Sequence, residues 1–163
     1  MEHTIVLTDE RERADNRFLT FDLGSGKFGI IINQVTEIIS LQEINKLPEM
    51  PDHILGIINL RGKIVPVMDM SMKLNKTKTE HSGRACIIVI ETDQLSVGLV
   101  VDNVDEVMQI KDIAPPPELA AGAGCRYING VGKVNDDIVI LIDCDQLFND
   151  EDTHAIEATK GKM

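Results

Sequence analysis

The chain has 163 residues, 43% of them hydrophobic and 26% charged, the balance of a globular chain long enough for a real core in one domain or two small ones. Its formal net charge is −11, and no cluster of Lys and Arg is long enough to neutralise a run of phosphates, which argues against nucleic acid as a partner. No apolar run approaches about 18 residues and no basic region followed by an apolar stretch opens the chain, so neither a membrane span nor a signal peptide is expected and a cytoplasmic protein is.

Trp is absent and the aromatics amount to 3%, so the core has to be built from Ile, Val, Leu and Met. Residues 1–16 carry charges of both signs and read as a flexible arm or a loosely paired edge strand. The folded part is predicted from Arg17, where Phe18 to Leu23 and Lys27 to Ile32 are β-rich runs joined by the hairpin signal Gly24-Ser25-Gly26. Asn33 is placed to cap a short helix running through Ile38, and Leu47-Pro48 to Pro51 reads as a turn. Gly56 to Arg61 and Lys63 to Asp69 form a second pair of strands around Gly62. Met68, Met70 and Met72 share one strand face if that strand continues, as core filler.

From 75 to 84 the composition turns polar, as in a linker. Beyond it come strand runs at Arg84 to Glu91 and Leu95 to Asp102, a short helical or bent segment at Val104 to Val107 and a turn at Pro115 to Pro117. Tyr127 to Val134 and Asp137 to Asp143 follow, joined by Asn135-Asp136, a pair suited to a tight turn with positive φ. The chain past Leu147-Phe148 is acidic, then small and polar, and is expected to form a frayed acidic tail over 149–163.

The second half repeats the first. Phe18 to Pro48 lies without a gap on Ile87 to Pro117 at an offset of 69, bringing Gly29 onto Gly98, Val35 onto Val104, Glu37 onto Glu106 and Pro48 onto Pro117. Gly56 to Leu74 lies on Gly130 to Phe148 at an offset of 74, bringing Gly56 onto Gly130, Ile64 onto Ile138 and Asp69 onto Asp143. The period is too long for a solenoid array and indicates a tandem duplication of a small β-unit. Short strands joined by Gly and Pro turns make the chain all-β, a barrel or sandwich with accessory helices.

Few residues suggest chemistry. Gly24-Ser25-Gly26-Lys27-Phe28-Gly29 has the glycine spacing of a dinucleotide fingerprint, but strand pattern continues after it where a phosphate-binding helix would have to open. Cys86, Cys125 and Cys144 are odd in number and widely spaced, without Cys-x-x-Cys or His-x-x-x-His pairs; they read as reduced structural thiols, and neither a metal nor a cofactor is expected. Asn59-Leu60-Arg61-Gly62 is different, because its counterpart is Lys133-Val134-Asn135-Asp136. Gly62 reads as a turn residue with positive φ, and Gly29, Gly98 and Gly130 as structural glycines. Arg61, which the second copy lacks, is either a partner-binding fork or a surface charge.

Leu47-Pro48, Pro51, Ile54, Gly56-Ile57-Ile58-Asn59-Leu60-Arg61-Gly62, Ile64 and Pro66-Val67-Met68-Asp69 are followed in order by Gly98, Val101-Asp102, Val104, Pro115, Pro117, Ile128 and Gly130-Val131. On these residues the stretch from Phe18 to Phe148 resembles the CheW family of chemotaxis coupling proteins. Met70 stands where the family usually has leucine, and Ile39 where an arginine often follows. The resemblance implies two intertwined five-stranded SH3-like barrels related by a pseudo-two-fold axis, taken as mainly 17–74 and mainly 85–148. It implies a non-enzymatic adaptor that joins the cytoplasmic tips of methyl-accepting chemoreceptors to the regulatory domain of the histidine kinase CheA, and that could meet other CheW-like domains in arrays at the inner face of the membrane. Its receptor-binding residues would be Val35, Glu37, Ile38, Gly56, Asn59, Arg61 and Val107, with Glu37 and Arg61 close together. The rival reading is a small thiol or nucleotide enzyme using Cys86 or the glycine loop.

Overall fold

The hairpins form where turn residues separate β-rich runs. In the computed structural model, which describes residues 17–75, 83–92, 95–116, 127–148 and 150–160, β1 (Arg17–Leu23) pairs antiparallel with β2 (Gly26–Ile31) across a turn in which Gly24 has φ of 59°. The arm at 1–16 lies outside the described residues, as do Cys125, Pro117 and most of the 75–84 linker. After β2 the expected helix is absent. A single 3₁₀ turn, Ile32–Gln34, has no side-chain cap and leads directly into β3 (Val35–Ser40). Val35, Thr36, Ile38 and Ile39 are β-branched, and the side-chain stiffness that weakens a helix suits a strand. The same holds in the second copy, where the segment expected to bend at 104–107 is strand β8 (Asn103–Gln109).

The remaining strands are β4 (Ile54–Leu60), β5 (Lys63–Asp69), β6 (Cys86–Glu91), β7 (Ser96–Val101), β9 (Ile113–Ala114), β10 (Ile128–Val134) and β11 (Asp137–Ile142). β5 does not continue through the methionines. The Asp69 carboxylate accepts the backbone N–H groups of Ser71 at 3.0 Å and Met72 at 3.3 Å, which ends the strand and starts helix α1 (Met70–Asn75), so Met68 and Met70 are buried from different elements. Asp143, its counterpart, accepts the N–H of Asp145 at 3.0 Å and opens α2 (Cys144–Leu147).

Two sheets result, with strand orders β8-β1-β2-β11-β10-β9 and β3-β6-β7-β5-β4. In the first, the chain segment carrying β8 and β9 stands at both ends of the order and so closes a five-stranded barrel. In the second, β3 lies beside β6 and the chain beyond it reaches β4 through paired bonds between Asn45 and Ile57 of 2.8 and 2.9 Å. The compact units do not follow the repeat. Unit 1 joins the described residues up to 35 with 105–147, and unit 2 joins 36–104 with those from 148 onward. The barrels expected as mainly 17–74 and mainly 85–148 are therefore each assembled from both copies, because two parallel pairings cross the repeat boundary: β11 with β2, Leu141 opposite Gly29, and β5 with β7, Val67 opposite Gly98.

The duplication is visible atom by atom. A Cβ on Gly98 would meet Ile87 at 2.7 Å and Val67 at 3.6 Å; one on Gly29 would meet their counterparts Phe18 and Leu141 at 3.4 and 3.1 Å. Bulges fall at the equivalent steps Ile54/Gly56 and Ile128/Gly130. The cores match as well, with Val65, Val67 and Ile87 in unit 2 and Val139, Leu141 and Phe18 in unit 1. The acidic segment after Phe148, expected to fray, instead contains helix α3 (Asp150–Lys160), with Asp152 and Ile156 fully buried in unit 2.

Gly56 is the tightest of these positions: its φ is 148° and a Cβ would lie 2.1 Å from the Asn45 carbonyl oxygen, whereas Gly62, at φ of 87°, faces open space. Gly56→Ala is expected to cost about 1–3 kcal/mol in chemical denaturation, the range of overpacked sites. Gly62→Asn, at a turn where Asn tolerates positive φ, is expected to cost less than about 1 kcal/mol.

Candidate functional site

The exposed end of the β4–β5 hairpin is built around Arg61. Leu60 pairs with Lys63, so Arg61-Gly62 is a two-residue turn, and both residues have positive φ, 53° and 87°. Asn59 accepts the Gly62 N–H through its Oδ1 at 2.8 Å, fixing the turn locally. In the other copy Asn135 holds the position of Arg61 with φ of 57°. Asn is among the residues that adopt this conformation readily, while Arg is not. Turn formation therefore does not account for Arg61, and its side chain does something else.

That side chain reaches across the strands to Glu37 on β3, where the guanidinium donates to the Glu37 carboxylate in an ion pair whose arginine is 70% exposed and whose glutamate is 26% exposed. The hydrogen bond to Glu37, and then its charge, push the guanidinium still further above its ordinary range. Unit 2 has this pair and the duplicated position in unit 1 has no arginine to make it. Glu37 alternates along β3 with outward residues, among them Ile38, which is 44% exposed. Val35 opens the same strand on the Glu37 side.

The structure thus brings Glu37, Asn59 and Arg61 together, with Ile38 and Val35 on the strand that carries Glu37. Gly56 is buried, and its close approach to Asn45 gives it a structural reason to be glycine. Val107 lies on β8 in unit 1, where it is the counterpart of Ile38 and equally exposed, at 46%. Beside it, the backbone of Glu106 is bound by the buried Thr20 hydroxyl, which donates to the Glu106 carbonyl at 2.8 Å, and Lys27 contacts Asp105 at 2.6 Å.

A recess of about 490 Å³ in unit 2, formed by Ile38 to Leu41 with Gly83 to Cys86, was not anticipated from the sequence. Leu41, 41% exposed, lines it together with Ile38, and nothing in the sequence pattern sets it apart. The two described thiols, Cys86 and Cys144, are both poorly suited to be nucleophiles. Burial raises Cys86 above the ordinary thiol range against the opposing backbone hydrogen bond from Val104, and burial with Asp143 and Asp145 nearby raises Cys144 far above it. The glycine-rich stretch is a hairpin whose second strand starts at Gly26, with no helix opening on it. Among the described residues no group of three His, Cys, Asp or Glu could hold a metal, and no helix is long and apolar enough to cross a membrane.

A family model described as CheW-like domain matches residues 17–152. The chemotaxis protein CheW of Klebsiella aerogenes is 32% identical to this chain over 148 residues, covering 90% of this chain and 89% of that protein. Protein FrzA of Myxococcus xanthus is 28% identical, covering 83% and 87%. The crystal structure of the scaffolding protein TtCheW from Thermoanaerobacter tengcongensis matches with a TM-score of 0.74 at 34% identity, over 83% of this chain and 88% of that one.

Since Asn suits the turn and Arg does not, Arg61→Asn is expected to fold normally, with a melting temperature equal to or slightly above that of the unaltered protein in a thermal scan. A drop of many degrees would show that the ion pair, and not the turn, supports the hairpin.

Proposed function

We propose, from the premise that this chain belongs to the family of CheW-like domains, that it is a chemotaxis adaptor which joins chemoreceptor cytoplasmic tips to the regulatory domain of the histidine kinase CheA. The family relationship itself makes the chain a CheW-type scaffold protein of mainly β structure. The finer reading concerns which surface meets which partner. It is supported above all by the Glu37–Arg61 pair, placed on a turn that would be less strained without its arginine.

In this reading Glu37, Ile38, Asn59 and Arg61 are the receptor-binding residues of unit 2, and Val35 and Val107, in unit 1, are receptor-binding residues on the family resemblance. The ion pair is exposed, and such pairs contribute little to stability because water competes for both charges. Its use would be to hold the guanidinium fork in a fixed orientation on the Val35 side of β3, while Ile38 is exposed on the alternate face of the strand, a fork suited to acidic side chains of a receptor tip. Gly56 would act through shape, by letting the Asn45 strand lie against β4.

An adaptor of this kind performs no bond-breaking step. It would change kinase activity by binding one receptor or kinase state more tightly than another, and the free-energy difference between those two affinities sets the size of the response. The raised thiols and the hairpin at Gly24–Gly29 favour this reading over the thiol or nucleotide enzyme. The chain would then act in the cytoplasm, recruited to receptor arrays, and could contact other CheW-like domains there.

Binding of the Arg61→Ala protein to a soluble receptor-tip fragment and to the kinase regulatory domain tests the assignment. Receptor binding should weaken by about tenfold or more, the loss typical of an interfacial charge-assisted contact, with the melting temperature within a few degrees of the parent. Reversing both charges, Glu37→Arg with Arg61→Glu, should recover part of that loss. Unchanged receptor affinity in Arg61→Ala would remove the residue from the receptor face.

A further inference from the structure

The C-terminal helix sits on unit 2 through a charge that the barrel itself does not need. Two of the described side chains of α3, Asp152 and Ile156, are fully buried and lie one turn apart. A buried carboxylate is unfavourable unless it is paired and hydrogen-bonded. Asp152 meets His53 Nε2 at 2.5 Å through one oxygen and the Lys73 ammonium through the other. Burial pushes the Asp152 carboxyl up, but the hydrogen bonds from His53 and Lys73 and their charges outweigh it and hold the carboxyl below its ordinary range.

The two partners come from separate elements, the turn before β4 and helix α1, and the backbone of each is held by contacts outside α3. The backbone N–H of Asp69 donates to the His53 carbonyl at 2.8 Å, and the Asp69 carboxylate caps α1, the helix that carries Lys73. The backbone positions from which both donors reach Asp152 in this notch are therefore set by the barrel and not by the helix. The duplication shows that the notch is optional. At the matching positions of the second copy stand Tyr127 and Leu147, the latter buried, and there the Asp143 N–H donates to the Tyr127 carbonyl at 2.8 Å just as Asp69 does to His53. The same barrel corner thus closes without an imidazole or an ammonium.

We infer that His53 and Lys73 form a preorganised carboxylate notch and Asp152 its key, so that α3 is a strap seated on unit 2 by this ionic triad and releasable as a unit while both barrels stay folded. Apolar contact on its own is thin along this helix, since Ile156 is the fully buried apolar side chain among its described residues. Loss of the carboxylate would leave the notch donors without their partner, and loss of the notch would leave a charge that prefers water to burial.

Amide hydrogen exchange on the full-length protein tests this with three variants: Asp152→Ala, Lys73→Met, and the double replacement His53→Tyr with Lys73→Leu, which copies residues the second copy already accommodates. In each, protection of the α3 amides should fall by about tenfold or more, while the amides of β5 and β7 keep theirs. Retained α3 protection in the double replacement would overturn the inference by showing that apolar contact seats the helix. Loss of protection throughout β5 and β7 in all three would overturn it as well, by making the triad part of the barrel and not a latch. The binding experiment on Arg61 is independent of either result.

Discussion

Two parallel strand pairings, β2 with β11 and β5 with β7, govern how the rest of this protein can be arranged. Parallel neighbours cannot be joined by a tight turn, so each barrel has to take its central pairing from chain that is distant in sequence. Here the distant chain is the other copy of the duplicated unit, and the exchange is reciprocal: Gly29 opposite Leu141 on one side, Gly98 opposite Val67 on the other. Both glycines sit where a Cβ would press on packed core side chains, Ile87 in one case and Leu141 and Val139 in the other. Neither copy can therefore complete a barrel alone, and the surfaces on β3 and β8 exist only once both copies have folded together.

Within that frame, departures from the repeat separate what the fold requires from what it carries. Asp69 and Asp143 both end a strand and cap a helix, so capping belongs to the fold. Arg61 against Asn135, and His53 with Lys73 against Tyr127 with Leu147, are departures that the barrel tolerates in either form. A third is Thr20, buried and bonded to the Glu106 backbone, where the other copy has the buried Val89. Each gives one unit a side-chain chemistry that its counterpart lacks, and at Arg61 the difference lies on the surface. The family membership, which makes the chain a CheW-type scaffold protein, agrees with differences of this kind being carried on surfaces.

Much of this was legible in the sequence because it is local. The Gly24, Arg61-Gly62 and Asn135-Asp136 turns and the hairpins follow from neighbouring residues, the two repeat offsets from matching local patterns, and the resemblance brought Glu37 and Arg61 together before any geometry did. The exchange of strands between copies was not legible to the same degree: offsets say which residues are equivalent, whereas pairing depends on which equivalents meet. At β3, the capping signal of Asn33 outweighed the β-branched run behind it, although that run decided the outcome. Helix α3 was missed because most of its face is polar, and its docking rests on one carboxylate that looks like any other acidic tail residue until His53 and Lys73 are seen beside it. Met68 and Met70 are core residues as expected, but the strand does not carry them on one face, because the Asp69 cap turns the chain into α1.

Backbone proton contacts measured by NMR in the intact, monomeric protein test the reciprocal exchange most directly. The account requires parallel-ladder contacts of residues 67–69 with 98–100 and of 28–30 with 140–142 in the same molecule, matching the two registers. Contacts confined within each copy, with β2 beside β5 and β7 beside β11, would contradict it.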